Sequence, residues 1–127
     1  MRGDPGCGKS DLALRLIDSG ARLVADDRTD LASDGGRLLA SAPPAIAGRI
    51  EVRGLGIVAL PAVAKAVVRL AVDLMPEAGI ERLAPRRMCT YLGVDLPLLR
   101  LAPFEASAVA KLRLAVRETV QGRLFVN

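Results

Sequence analysis

The 127-residue chain contains no histidine and no tryptophan, and its only aromatic residues are Tyr91, Phe104 and Phe125. The lack of imidazole excludes a histidine triad, a histidine metal site and a histidine acid–base, so proton transfer near neutral pH falls mainly to carboxylates. So few rings disfavour binding of single-stranded nucleic acid, which rests on aromatic stacking platforms. Cys7 and Cys89 are too few and too unpatterned for a disulfide framework or a zinc knuckle, and they point to a reducing, intracellular setting. No run of roughly 18 uncharged apolar residues occurs, and Met1-Arg2-Gly3-Asp4-Pro5 has no apolar signal region. A soluble, cytoplasmic protein with no membrane partner is expected.

The rest of the composition is ordinary globular chemistry, with 51% hydrophobic and 25% charged residues. High apolar content and a net charge of only +4 argue against disorder and for a single domain over residues 1–127. The pI of about 9.7 suits an anionic partner such as a nucleotide or a phosphorylated metabolite.

Periodicity predicts a helix over Lys9 to Ser19, with Leu12, Ala13, Leu16 and Ile17 on one face and Gly20 as its C-terminal cap. Arg22 to Ala25 reads as a short buried strand running into Asp26 and Asp27. Thr29 to Ser33, the Asp34-Gly35-Gly36 turn and Arg37 to Ser41 read as a hairpin, and Pro43-Pro44 ends regular structure. Glu51 to Val58 reads as a strand with a glycine turn. Ala66 to Met75 alternates as one half-buried strand, Pro76 to Leu92 reads as a loop, and Leu98 to Leu101 as a short strand. A last helix is expected over Ala106 to Val120, burying Val109, Leu112, Val116 and Val120.

The segment Gly3-Asp4-Pro5-Gly6-Cys7-Gly8-Lys9-Ser10 fits G-x-x-x-x-G-K-[ST] and leads into the helix that this motif requires. Glycines let backbone N–H groups curl around phosphate oxygens, Lys9 reaches the β- and γ-phosphates, and Ser10 can coordinate Mg²⁺. Only Met1 and Arg2 precede Gly3, so the buried strand from which such a loop springs is expected to be missing. Asp26 and Asp27 follow the next predicted strand, where one carboxylate can act through the metal and the other can take a proton from an incoming hydroxyl. Glu51 and Arg53 would share a strand face as metal ligand and phosphate contact, or form a surface ion pair. Arg82, Arg86 and Arg87 can neutralise a transferring phosphoryl group, whereas Lys111 and Arg113 fit a solvated helix face.

The loop, Leu23-Val24-Ala25-Asp26-Asp27, Ala42-Pro43-Pro44 and Glu51-Val52-Arg53-Gly54-Leu55-Gly56-Ile57, in that order, resemble the HPr kinase/phosphorylase family in its short proteobacterial form. The resemblance implies an ATP-dependent kinase acting on a serine of HPr, the phosphocarrier of the phosphotransferase system, and able to run phosphorolysis. It implies an α/β fold with a mixed sheet, similar to the phosphoenolpyruvate carboxykinase core, and assembly as a homo-hexamer. It also implies that Gly3, Asp4, Pro5, Gly6, Cys7, Gly8, Lys9 and Ser10 hold ATP, and that Ser10 and Glu51 bind Mg²⁺. By the same resemblance Asp27 is the proton acceptor, Lys9 and Arg82 are catalytic, and Ser107 to Lys111 matches a segment linked to phosphorolysis. The family places a catalytic histidine upstream of its loop, and this chain has none, so it reads as a catalytic domain truncated at its N-terminus. A generic small-molecule kinase or NTPase and a non-catalytic nucleotide-binding regulator are the alternatives.

Overall fold

The computed structural model describes residues 1–124, so Phe125 lies outside the described residues. The elements in chain order are α1 (Lys9–Asp18), β1 (Asp30–Asp34), β2 (Arg37–Ser41), β3 (Arg49–Val52), β4 (Gly56–Ala59), β5 (Lys65–Val67), β6 (Ala71–Leu74), β7 (Met88–Tyr91), β8 (Val94–Leu101) and α2 (Ala108–Val120). The class is α/β and one of the sheets is mixed, as expected. The chain divides into two compact units, one made of residues 1–9 and the chain from Arg69 onward, the other of Ser10–Val68.

The first unit holds the sheet β6–β8–β7. β6 runs parallel to β8 with Asp73 opposite Arg100, and β7 runs antiparallel to β8 with Met88 opposite Pro97. Pro97 is the last β8 residue paired with β7, and pairing with β6 begins at Leu98. Its missing N–H therefore falls where β8 changes partners, which is where a strand tolerates proline. The strand thus begins four residues before the Leu98 expected from sequence. The supposed loop Pro76 to Leu92 likewise ends in β7, closed onto β8 by Leu92-Gly93.

Arg2 adds to the sheet's other side. It forms a parallel bridge with Asp73, its amide donating to Val72 O at 2.7 Å while Leu74 N donates to Arg2 O at 2.8 Å. The residue that enters the glycine loop is thus seated beside β6.

α2 packs on β8 and buries Ala108, Leu112 and Ala115. The predicted face is rotated, since Val116 and Val120 are exposed. Two of the three packing residues are alanines, which let the helix approach the sheet closely but weigh little in a hydrophobic pattern.

The second unit contains α1, the antiparallel sheet β1–β2–β5 and the hairpin β3–β4. α1 ends as predicted: Gly20 takes φ +111, its amide donates to Ile17 O and the Ala21 amide to Leu16 O, both at 3.0 Å, the bond pair of a Schellman cap. The hairpin predicted around Gly35-Gly36 is β1–β2. Two other expectations fail. Arg22 to Ala25 is no strand and is reduced to one bridge, Leu23 with Ala62. Ala66 to Met75 is two strands, β5 and β6, which pair in different sheets; alternation reports the pleat of a strand and not its partner. Leu12, Leu38 and Ile50 are fully buried, and among the described residues no polar or charged residue is buried.

Leu92, at φ +50, is a non-glycine residue in the left-handed region and is exposed. That conformation costs a branched aliphatic residue about 1–2 kcal/mol and asparagine less. Leu92→Asn is expected to raise the thermal unfolding midpoint by a few degrees, and Leu38→Ala to lower stability by about 2–5 kcal/mol through the cavity it leaves; denaturant titration of both variants checks the two signs.

Candidate functional site

Three polar groupings stand out, and each lies within one unit. The first is the Gly3–Lys9 part of the loop. Its turn is closed by the Cys7 amide donating to Asp4 O at 3.0 Å. Gly3 must be glycine because a Cβ would lie 2.5 Å from Cys7 Sγ and 3.3 Å from Leu74 O. Gly8 takes φ +102, which favours glycine, and a Cβ there would come within 2.8 Å of the exposed Phe104 ring, which would have to move aside. Lys9 Nζ donates to Gly3 O at 2.7 Å, so the ammonium is held across the loop by the loop's own first carbonyl. Phe104 is 71% exposed yet rests on Gly8. Sequence reasoning weighed it only as a ring for stacking bases; Pro103-Phe104 at the C-terminal end of β8 was the signal for its place.

The second grouping is Ser10, Asp26 and Glu51. Ser10 Oγ donates to Asp26 Oδ1 at 2.8 Å, and the Glu51 amide donates to Asp26 Oδ2 at 3.0 Å. The half-buried Asp26 therefore ties the start of α1 to β3, a role that sequence reasoning left undivided between the two aspartates. Asp27 is exposed, and its carboxylate makes no hydrogen bond or ion pair among the described residues. The Glu51 side chain is exposed on β3 opposite Ile57. Arg53 lies beyond the end of β3, so the two do not share a strand face, and they form no ion pair. Among the described residues no three His, Cys, Asp or Glu side chains cluster as a metal site. A hydroxyl and one or two carboxylates are nevertheless the donor set that suits Mg²⁺, which keeps several waters and takes its other oxygens from substrate phosphates.

The third grouping lies where the chain enters the loop. Arg2 grips Asp73 with both arms, Nε to Oδ1 at 2.6 Å and Nη2 to Oδ2 at 2.8 Å, and Nη1 donates to Tyr91 Oη at 3.0 Å. The guanidinium holds the Asp73 carboxyl below its ordinary value, and Asp73 and Tyr91 hold the guanidinium above its own.

The remaining candidates are dispersed. Arg82 and Arg86 are exposed and without partners among the described residues, whereas Arg87 pairs with Glu81, which Arg100 also approaches at 3.7 Å. Lys111 pairs with Glu105.

Residues 1–112 match the HPr Serine kinase C-terminal domain family. The chain belongs to this family. Among curated relatives, it is 37% identical over 108 residues to the HPr kinase/phosphorylase of Clostridium novyi, covering 80% of this chain and 33% of that one. It is 36% identical over 107 residues to that of Brevibacillus brevis, covering 83% and 34%. It thus spans about a third of the length of these relatives. The solved HPr(Ser) kinase/phosphatase from Coxiella burnetii superposes with a TM-score of 0.83 at 28% identity, over 94% of this chain and 85% of that one. No helix among the described residues is long and apolar enough to cross a membrane.

Asp73 supplies a pH test of the third grouping. Because its folded pKa is depressed, the stability it adds is complete above the ordinary value of 3.8 and is lost as pH falls through the folded value. Arg2 stays charged throughout. The gap in unfolding midpoint between the wild-type chain and Asp73→Asn is expected to hold from pH 7 to about 5 and to close toward pH 2; a gap constant down to pH 2 would contradict the pairing.

Proposed function

We propose that this chain is the catalytic domain of an ATP-dependent protein-serine kinase that phosphorylates HPr and, with inorganic phosphate as acceptor, removes the group by phosphorolysis to give pyrophosphate. The observation that carries the reading is the Ser10–Asp26–Glu51 linkage, which joins the hydroxyl closing the glycine loop to the family's glycine hairpin. Family membership supplies the substrate class. The positive excess supports an anionic ligand: the unit holding Gly3–Lys9 and Arg82 carries 11 basic against 7 acidic residues, and the other 7 of each.

In this reading Gly3–Ser10 is a P-loop within a core of the phosphoenolpyruvate carboxykinase kind. Its backbone amides and Lys9 hold the phosphates of ATP, the ammonium keeping one N–H on Gly3 O and turning its other donors to phosphate oxygens. Ser10 and Glu51 hold Mg²⁺, and Asp26 fixes the Ser10 hydroxyl and the Glu51 backbone. When bound there, Mg²⁺ offsets charge on the β- and γ-phosphates. Asp27, whose carboxylate has no hydrogen bond or ion pair among the described residues, is free to accept a proton. It takes the proton of the seryl hydroxyl as that oxygen bonds to the γ-phosphorus and the bond to ADP breaks; in phosphorolysis it returns the proton to the serine. Arg82 stabilises charge on the transferring group. The protein works in the cytoplasm as a homo-hexamer.

Intact-mass spectrometry of a cognate HPr incubated with the chain, ATP and Mg²⁺ tests this. A single added phosphate is expected, absent with Lys9→Ala and reduced at least about 100-fold in rate with Asp27→Asn, at unchanged nucleotide affinity. Transfer that persists in Asp27→Asn would remove Asp27 as the base. ATP binding with no transfer by the wild-type chain would favour the nucleotide-binding regulator.

A further inference from the structure

We propose that Arg2, clamped by Asp73 and Tyr91, is a positioning residue that sets the phosphate loop for nucleotide; this rests on the nucleotide-binding reading of Gly3–Ser10. An unbroken run of short contacts within one unit joins Arg2 to the loop. Asp73 projects from the strand beside which Arg2 sits, and its two oxygens take both arms of the guanidinium. Tyr91, from the far strand of the same sheet, accepts from the third nitrogen, and its ring centroid lies 5.9 Å from the guanidinium carbon. The Arg2 backbone is bonded through both its N–H and its C=O to β6. The next residue, Gly3, carries the carbonyl that holds the Lys9 ammonium. The same glycine is packed so closely on Cys7 and the Leu74 carbonyl that not even a Cβ fits.

The position of the phosphate-binding lysine is therefore referred to the sheet through Arg2. A shift or rotation at Arg2 turns the Gly3 carbonyl, and tight packing around Gly3 passes that movement to Cys7 and the loop turn. Because the guanidinium spans β6 and β7, its orientation depends on a planar fork held at three nitrogens. Lysine keeps the charge but cannot reproduce that fork. Asparagine at 73 keeps the shape of the acceptor and loses the charge that draws both arms.

The proposal separates a positioning role from mere stabilisation by where the loss appears. Titration calorimetry with MgATP is expected to show Arg2→Lys and Asp73→Asn binding about tenfold more weakly than wild type, as displacement of a binding group by a fraction of an ångström does. In HPr phosphorylation the KM for ATP should rise by the same factor while kcat at saturating ATP stays within about twofold. Tyr91→Phe, which loses one contact of three, should fall between. Thermal unfolding without ligand identifies any variant that is not folded at the assay temperature, and if Arg2→Lys is not, Asp73→Asn and Tyr91→Phe still decide. Folded variants that bind MgATP as tightly as wild type would overturn the proposal and leave the nucleotide reading standing. A wild-type chain that binds no MgATP would overturn that reading, and the proposal with it.

Discussion

A single carboxylate organises the second unit. Asp26 has two oxygens, and each accepts one hydrogen bond from a different part of the chain, the Ser10 hydroxyl at the start of α1 and the Glu51 amide on β3. Both bonds are charge-assisted and roughly twice as strong as neutral ones. The hairpin β3–β4 is two-stranded, so the outward amide of an edge strand has no ladder partner, and Asp26 provides one. The glycine hairpin is thereby indexed to the residue that completes the loop motif.

The first unit reaches a comparable result by other means. Its loop is shaped by what surrounds it: Cys7 and the Leu74 carbonyl at Gly3, the Phe104 ring at Gly8, and the Gly3 carbonyl on Lys9. Buried residues in both units are small or aliphatic, and none among the described residues is polar or charged. Specific geometry within each unit is left to half-exposed polar groups.

The loop motif, α1 with its Gly20 cap, the Gly35-Gly36 hairpin and α2 were legible in the sequence because each rests on local chemistry. The misread strands share one cause. Arg22–Ala25, Ala66–Met75 and β8 were judged from local runs and alternation, yet their limits depend on which strand pairs with which, and that is settled by distant residues. At the site, the residue types were legible and the resemblance gave the proton to Asp27, but the hydrogen bonds of Asp26 were not legible. Asp26 and Asp27 are neighbours of identical chemistry, and only the hydrogen bonds to Ser10 and Glu51 distinguish the engaged carboxylate from the free one. Arg2 was invisible as a contributor, since its partners Asp73 and Tyr91 lie in strands far along the chain.

The central claim is that the glycine loop and the Asp26 linkage belong to a nucleotide site. Hydrogen–deuterium exchange with and without MgATP tests it directly. The account predicts slowed exchange confined to the amides of Gly6–Ser10 and of Glu51, with Lys9→Ala abolishing the effect. Unchanged exchange at those amides with saturating MgATP, or protection only at sites remote from them, would contradict it.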